Sequence, residues 1–167
     1  VVNVPAGDIP NVQVDSYRTA STEGIPLTDG MKISFHAMSL QTARLIWHCA
    51  YIVLFYSPDK RPEGKHLKEY ALIRLDGENW APGDYSTNKT SINYTDDFTD
   101  WEAWKEVNKA GLDVEASFEK KGNLITLITK NKGIEINNVL KISETPENVY
   151  VALTGDQCAI TNIRIDS

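Results

Sequence analysis

Short segments in which apolar and polar residues alternate recur along almost the whole chain. Strand side chains point alternately to opposite faces, so this pattern is typical of strands that pack one face on a core. Turn-forming residues such as Gly155-Asp156 separate the segments. The segments predicted to form strands are 11–17, 31–38, 46–56, 69–76, 112–118, 124–129, 134–142, 148–154 and 157–165.

Two of these segments carry further information. Segment 46–56 is nearly continuous in apolar residues, which favours a central strand covered on both faces. The last segment is patterned to its end, which predicts that it is tied into a sheet. Strict alternation puts Cys158, Ile160, Asn162 and Arg164 on one of its faces, and Ala159, Thr161, Ile163 and Ile165 on the other.

One stretch predicts a helix instead. Trp101 and Trp104 are three residues apart, Asp100 precedes them as a cap, and Gly111 follows. We expect a helix over 100–108 whose two tryptophans pack as core against the sheet edge. The fold class predicted is all-β: a two-sheet antiparallel sandwich, jelly-roll-like, with one short helix and a single domain over 1–167.

Composition narrows the possible partners. The 167 residues are 41% hydrophobic and 24% charged, as in an ordinary globular domain. The net charge of −6 argues against nucleic acid, which needs a basic face, and no apolar stretch is long enough to span a membrane. The first residues do not form a signal peptide, and the chain is interpreted as a piece of a larger protein.

Cysteines, histidines and aspartates give no metal or cofactor signature. Cys49 and Cys158 lie in apolar strand patterns; buried free thiols are favoured, with a single disulfide as the alternative. Two cysteines cannot close a four-ligand zinc site, and the histidines show no ligand spacing. Asp96, Asp97 and Asp100 lack the spacing of an EF-hand, so a solvated loop is favoured over calcium binding. We expect no metal and no cofactor.

The strongest candidate for ligand binding is Trp80, in a polar loop spanning 76–85. A large ring among Gly, Pro and Asn residues favours stacking on a flat, polar ligand such as a sugar. The alternative is that Trp80 folds back and plugs one end of the sandwich. Asn79 and Asp76 can donate or accept hydrogen bonds beside it, and Tyr85 offers a second ring.

A second candidate group lies on other strands. Trp47 and His48 precede the central strand, where a ligand platform and a core tryptophan are equally favoured. Arg74 alternates outward with Tyr70 and Asp76, so its planar fork of donors can clamp sugar hydroxyls. The alternative for Arg74 is a surface salt bridge to Asp76 of little energetic consequence.

Several segments together resemble a known class of protein. These are Glu69 to Asp76 followed by Asn79-Trp80, the Trp-led turn at 100–104, and the tail segments 149–154 and 160–165. They are similar to the non-catalytic carbohydrate-binding modules of bacterial plant-polysaccharide hydrolases, without a numbered family. The resemblance implies a β-sandwich that holds a β-glucan, xyloglucan or mannan chain on aromatic platforms, here Trp80 and Trp47.

The leading functional hypothesis is therefore a secreted or cell-surface module that binds plant cell-wall polysaccharide. It would bring a catalytic module of the same polypeptide to the polysaccharide and would have no catalytic activity of its own. We expect a monomer without nucleic acid or membrane partners. One alternative is a small glycoside hydrolase, which needs two facing carboxylates from among Glu69, Glu78, Glu115 and Glu135. The other is a protein-interaction or adhesion domain, which exposed aromatic rings also suit.

Overall fold

The computed structural model describes residues 2–4, 12–14, 20–63, 66–80, 83–144 and 148–166, with the backbone alone for 2–4, 12–14, 79 and 80. This part of the chain forms fourteen strands and one helix. The elements are β1 (Val2–Val4), β2 (Val12–Val14), β3 (Ala20–Thr22), β4 (Ile25–Pro26), β5 (Lys32–Ser39), β6 (Ala50–Tyr56), β7 (Lys68–Arg74), β8 (Asn79–Trp80), β9 (Ser86–Tyr94), α1 (Trp101–Ala110), β10 (Leu112–Lys121), β11 (Leu124–Asn131), β12 (Ile134–Ile142), β13 (Tyr150–Gly155) and β14 (Cys158–Asp166).

The strands assemble into two large antiparallel sheets. One sheet has seven strands in the order β2-β14-β5-β10-β11-β12-β9, and the other has five in the order β4-β13-β6-β7-β8. A short parallel pair, β1 with β3, completes the described strands. The predicted all-β, two-sheet antiparallel architecture is confirmed.

The core lies between the inner faces of the two sheets. On the seven-stranded sheet the alternation reads as predicted, with Ile33 and Phe35 of β5 and Val114 and Phe118 of β10 all buried. These side chains pack against the apolar strands of the five-stranded sheet. Full burial of one such side chain contributes about 1.5–3 kcal/mol, which makes this alternation the main determinant of the fold.

The central position predicted for segment 46–56 is confirmed, but the strand starts later than predicted. β6 is the middle strand of its sheet, and its residues from Ala50 to Phe55 are buried. The preceding residues form turns instead, because the backbone N–H of His48 donates to the carbonyl of Leu45. The hydroxyl of Tyr51 also donates to the carbonyl of Trp47, at 2.6 Å. The tryptophan therefore lies on a turn before the strand.

Strand β9, at the edge of the seven-stranded sheet, was not predicted. It pairs only with β12 in that sheet, over the whole length of both strands. Its inward positions are largely polar, so the apolar alternation that indicates a strand is missing. Asn88 and Thr90 point toward β12 and donate to the side-chain oxygen of Asn138, which replaces apolar packing by hydrogen bonds.

The strict alternation predicted for the last strand is wrong at its centre. β14 pairs with β5 in register until Thr161 opposite His36, and resumes with Arg164 opposite Ser34. The extra residue forms a β-bulge, with Asn162 at φ 54° in the left-handed region. The bulge shifts the alternation by one position, so Ile163 is buried while Arg164 faces outward.

The predicted helix is confirmed and ends two residues later than predicted. The Asp100 carboxylate accepts a hydrogen bond from the backbone N–H of Ala103 at 2.8 Å, which caps the first turn. Gly111 closes the helix by donating to the carbonyl of Val107. Trp104 is buried as predicted. Its indole N–H donates to the Asn131 side-chain oxygen at 3.2 Å, which ties the helix to the end of β11.

Both cysteines are free and buried, in agreement with the favoured prediction. Burial disfavours the charged thiolate, and it raises the pKa of Cys158 to about 12 and that of Cys49 well above its ordinary value. Each therefore behaves as a small core residue.

Candidate functional site

A groove of about 320 Å³ opens where the turn before β6, the turn after β7, strand β9 and helix α1 meet. Its lining includes two tryptophans, two isoleucines and three charged side chains: Trp47, Trp101, Ile46, Ile92, Arg74, Asp76 and Glu78. Three of these, Trp47, Arg74 and Asp76, were candidate binding residues from the sequence. We refer to this site as the Trp47 groove.

Trp47 presents the most exposed indole of the groove, with 43% of its surface accessible. Of the two alternatives, the structure places it outside the core, on the turn that ends at β6. The Tyr51 hydroxyl holds its backbone carbonyl, and the Arg74 guanidinium carbon lies 5.9 Å from the centre of its ring. A cation at that distance interacts favourably with the electrons of the indole and orients it.

Arg74 and Asp76 form a two-pronged ion pair in the wall of the groove. The Arg74 Nε and Nη2 donate to the two carboxylate oxygens of Asp76, at 3.0 and 2.8 Å. Nη2 also donates to Glu78. Only 19% of the Arg74 side chain is exposed and Asp76 is buried, so this is not the weak surface pair considered as an alternative. Two hydrogen bonds fix the guanidinium plane.

The Asp76 carboxyl is held by opposing effects. Burial raises its pKa above the ordinary value, because a charged carboxylate loses its hydration there. The hydrogen bonds from Arg74 and from the backbone N–H of Glu78 act in the opposite direction. The carboxyl is thus dedicated to positioning the arginine.

Gly77 allows the turn after β7 to approach strand β9. Its φ of +94° lies in the region that side chains rarely adopt. A Cβ at this position would overlap the Cδ1 of Ile92 and lie 2.9 Å from its Cγ1. Glycine is therefore favoured by the backbone conformation, and a larger residue here would have to displace the Ile92 side chain.

Aromatic rings continue from the groove along helix α1 and the end of β9. Trp101 contacts Trp104, Phe98 and Tyr94 edge-on, with ring centres 5.5, 5.1 and 6.1 Å apart. Tyr94 is 54% exposed, and Trp101 is only partly buried. The predicted core packing of Trp101 is therefore confirmed in part: the ring packs on the core with one part and lines the groove with another.

The groove walls are joined by a buried amide. Asn131 accepts from Trp104 of α1, and its amide nitrogen donates to the carbonyl of Leu75 at 3.1 Å. Leu75 lies between Arg74 and Asp76 in the chain. One side chain thus connects the helix that carries Trp101 with the turn that carries the ion pair.

The other candidate residues lie elsewhere. His48 is partly buried, and its Nδ1 accepts hydrogen bonds from the backbone N–H groups of Arg44 and Leu45 at 3.0 and 3.2 Å. Burial lowers its pKa, so the ring is a neutral acceptor that shapes the turn. Tyr70 is only 3% exposed, so its predicted outward orientation is wrong, because β7 is covered on both faces.

The loop predicted to carry the main platform is only partly described. Asn79 and Trp80 form strand β8, where they pair with Ile73 and Leu72, and their side chains lie outside the described residues. Tyr85 is partly buried, with the Lys68 ammonium 5.7 Å from its ring centre. It is not part of the Trp47 groove.

Neither a metal centre nor a membrane-spanning helix is found in the described ranges. No three His, Cys, Asp or Glu side chains there are grouped so that they could hold a metal ion. The Asp100 carboxylate is engaged as the helix cap. None of the described helical residues forms a helix long and apolar enough to cross a bilayer.

Comparison with protein-family models, with curated proteins and with solved structures finds no match for the chain.

Proposed function

We propose that the chain is a non-catalytic module that binds plant cell-wall polysaccharide in the Trp47 groove. The observation that carries the proposal is a partly exposed indole beside a guanidinium fixed by a buried carboxylate. An indole face stacks on the C–H face of a pyranose ring, while rigid donors meet its hydroxyls. Trp47 offers such an indole face and Arg74 such donors, and the two side chains are next to each other.

Some N–H donors of the Arg74 guanidinium remain available to a ligand. A guanidinium carries five N–H donors. Nε and both hydrogens of Nη2 are engaged by Asp76 and Glu78, and no described group accepts from Nη1. Two donors in a fixed plane next to Trp47 suit a pair of neighbouring hydroxyls. Because their positions are set before the ligand arrives, little side-chain entropy is lost on binding.

Binding without catalysis suits the carboxylates of this groove. Hydrolysis requires one carboxyl as acid and a second, facing it, as base or nucleophile. Asp76 and Glu78 both accept hydrogen bonds from Nη2 of Arg74, so both are engaged in holding one guanidinium. The proposed module would accordingly act for a catalytic module in the same polypeptide, outside the cell, on a glucan, xyloglucan or mannan chain.

Substitution of Trp47 tests the proposal. Trp47→Ala should weaken binding of a β-glucan or mannan oligosaccharide about tenfold, because the loss of stacking, about 0.5–1.5 kcal/mol, adds to the loss of buried apolar surface, and about 1.4 kcal/mol is tenfold. Trp47→Phe should retain part of the affinity. Met38→Ala, which truncates an exposed apolar residue of β5, is the matched control and should bind normally.

Calorimetric titration measures the affinities, and thermal melting checks that each variant is folded. If a folded Trp47→Ala variant binds the oligosaccharide with unchanged affinity, the Trp47 groove is not the sugar-binding site. Release of reducing ends from any of these polysaccharides, abolished by Glu→Gln substitution, would favour the hydrolase alternative instead.

A further inference from the structure

A second groove, of about 560 Å³, lies on the outer face of the seven-stranded sheet. Its lining comes from strands β5, β10, β11 and β14 and shares no residue with the Trp47 groove. The apolar residues in its floor, Phe35 and Val114, are buried, so the side chains available to a ligand are polar or charged. We refer to this site as the sheet groove.

Four side chains form a row across the sheet groove. Strand register places Arg164 opposite Ser34, Ser34 opposite Glu115, and Glu115 opposite Lys130. Neighbouring strands are about 4.8 Å apart, so the backbones of Arg164 and Lys130 are separated by roughly 14 Å. The row has a cation at each end, with a hydroxyl and an acid between them.

The bulge in β14 creates one end of this row. Without the extra residue at Asn162, the alternation would turn Ile163 outward opposite Ser34 and Arg164 inward. With it, Ile163 is buried and Arg164 lies opposite Ser34. Bulges often redirect a side chain beside a functional site, and this one exchanges an isoleucine for an arginine in the groove.

Among the described residues, the two acids of the sheet groove have charged or hydrogen-bonded partners, whereas Arg164 and Lys130 have none. Glu115 pairs with Lys32 at 3.4 Å, and Asp113 is hydrogen-bonded to His36 at 3.0 Å. In the described part of the chain no ion pair involves Arg164 or Lys130, although both are exposed in the groove. The groups left to meet a ligand are therefore mainly donors, which suit oxyanions.

We infer that the sheet groove binds an acidic oligosaccharide, whose carboxylates contact Arg164 and Lys130 and whose hydroxyls contact Ser34 and Glu115. A peptide of consecutive acidic residues fits less well, because its side chains offer carboxylates to Arg164 and Lys130 but no hydroxyls to Ser34 and Glu115. The net charge of −6 opposes long-range attraction of any anion. Recognition must therefore depend on direct contacts, which are screened less than distant charges. The inference is independent of the function proposed for the Trp47 groove.

Titration with tetragalacturonate, an oligosaccharide with one carboxylate on each sugar, tests the inference. The wild-type chain should bind it, and the double variant Arg164→Gln/Lys130→Gln should bind at least tenfold more weakly. Lys141→Gln removes an exposed cation from the same sheet, outside the groove, and should leave affinity unchanged. Backbone amide shifts measured by NMR should change at Ser34 and Glu115 when the ligand is added.

Three further ligands or variants distinguish the alternatives. The fully methyl-esterified tetramer should bind weakly, and equal affinity would refute recognition of carboxylates. Oligoglutamate of the same charge should bind more weakly than the uronate, and equal affinity would refute a saccharide site. Trp47→Ala should bind tetragalacturonate normally, and loss of binding would place the ligand in the other groove. Absence of binding by the wild-type chain, or equal affinity of the double variant, would also overturn the inference.

Discussion

Replacing Gly77 by alanine tests whether the turn beside the Trp47 groove is held by close packing. Its φ of +94° places an L-residue in a region that costs about 1–2 kcal/mol. The added methyl group would also overlap Ile92, and overpacking of this kind costs about 1–3 kcal/mol. Together the two effects should lower the free energy of unfolding by about 2–5 kcal/mol, measured by urea denaturation followed through tryptophan fluorescence.

Two further variants separate the backbone contribution from the steric one. Gly30 has a similar φ of +82°, and no described atom lies within 4 Å of a Cβ built there. Gly30→Ala should therefore cost only the backbone part, about 1–2 kcal/mol. Ile92→Ala makes room for the new methyl group, so Gly77→Ala should cost less in that background than in the wild type. Equal costs for the two glycine substitutions, or no coupling between Gly77 and Ile92, would refute the packing argument.

Three other predictions concern side chains fixed by burial or hydrogen bonds. Asp76→Asn should lower the free energy of unfolding by about 1.5–3 kcal/mol, because a hydrogen-bonded charge is lost beside Arg74; an unchanged urea midpoint would contradict this. Cys49 and Cys158 should resist a thiol reagent until the chain is unfolded, because burial raises the pKa of both thiols; rapid labelling of the folded chain would contradict their burial. The pKa of Asp29 is lowered mainly by a hydrogen bond from the Lys120 backbone N–H and, next in size, by one from the Lys121 ammonium. The charged carboxylate of Asp29 therefore stabilises the fold above pH 3.8, and this stabilisation is lost as the pH falls through the lowered pKa. NMR titration of the Asp29 carboxyl should give a midpoint below 3.8, and a midpoint at or above that value would disprove the role of these bonds.

The fold was largely predictable because most strands bury one apolar face. Segment 134–142 forms a strand with the predicted bounds, and the helix cap at Asp100 was visible as a residue type in the right place. Strand β9 escaped prediction because three of its inward positions are Ser, Asn and Thr: Ser86 donates to the carbonyl of Tyr70, and Asn88 and Thr90 donate to Asn138 of β12. A polar edge strand of this kind carries little hydrophobic periodicity.

The bulge at Asn162 shows a second limit of prediction. One inserted residue moves every later side chain of the strand to the opposite face of the sheet. The pattern of apolar residues does not show where such an insertion falls. Ile163 and Ile165 were predicted to share a face, and both lie inward, but Thr161 of the same predicted face lies outward opposite His36. The sheet register was needed to place Arg164.

The candidate site was predictable in part, from residue types within one segment. Arg74 and Asp76 are two positions apart, so their interaction was a visible possibility, whereas its burial was not. Trp101 and Ile92 reach the groove from α1 and β9, which only tertiary folding brings beside Trp47. Nothing in the sequence indicated that the exposed Tyr94 contacts the ring of Trp101.

The amide of Asn131 joins the two elements that carry the walls of the Trp47 groove. Its two hydrogen bonds run to Trp104, on the helix that carries Trp101, and to Leu75, next to the ion pair, so the two elements cannot move apart without breaking a buried bond. A groove of fixed width admits only ligands that are thin enough to fit between its walls. An unbranched chain, which presents a single layer of rings, would pass between the walls, whereas side branches at the same depth would be excluded. In this way a buried residue outside the Trp47 groove would help to decide which polymers that groove admits.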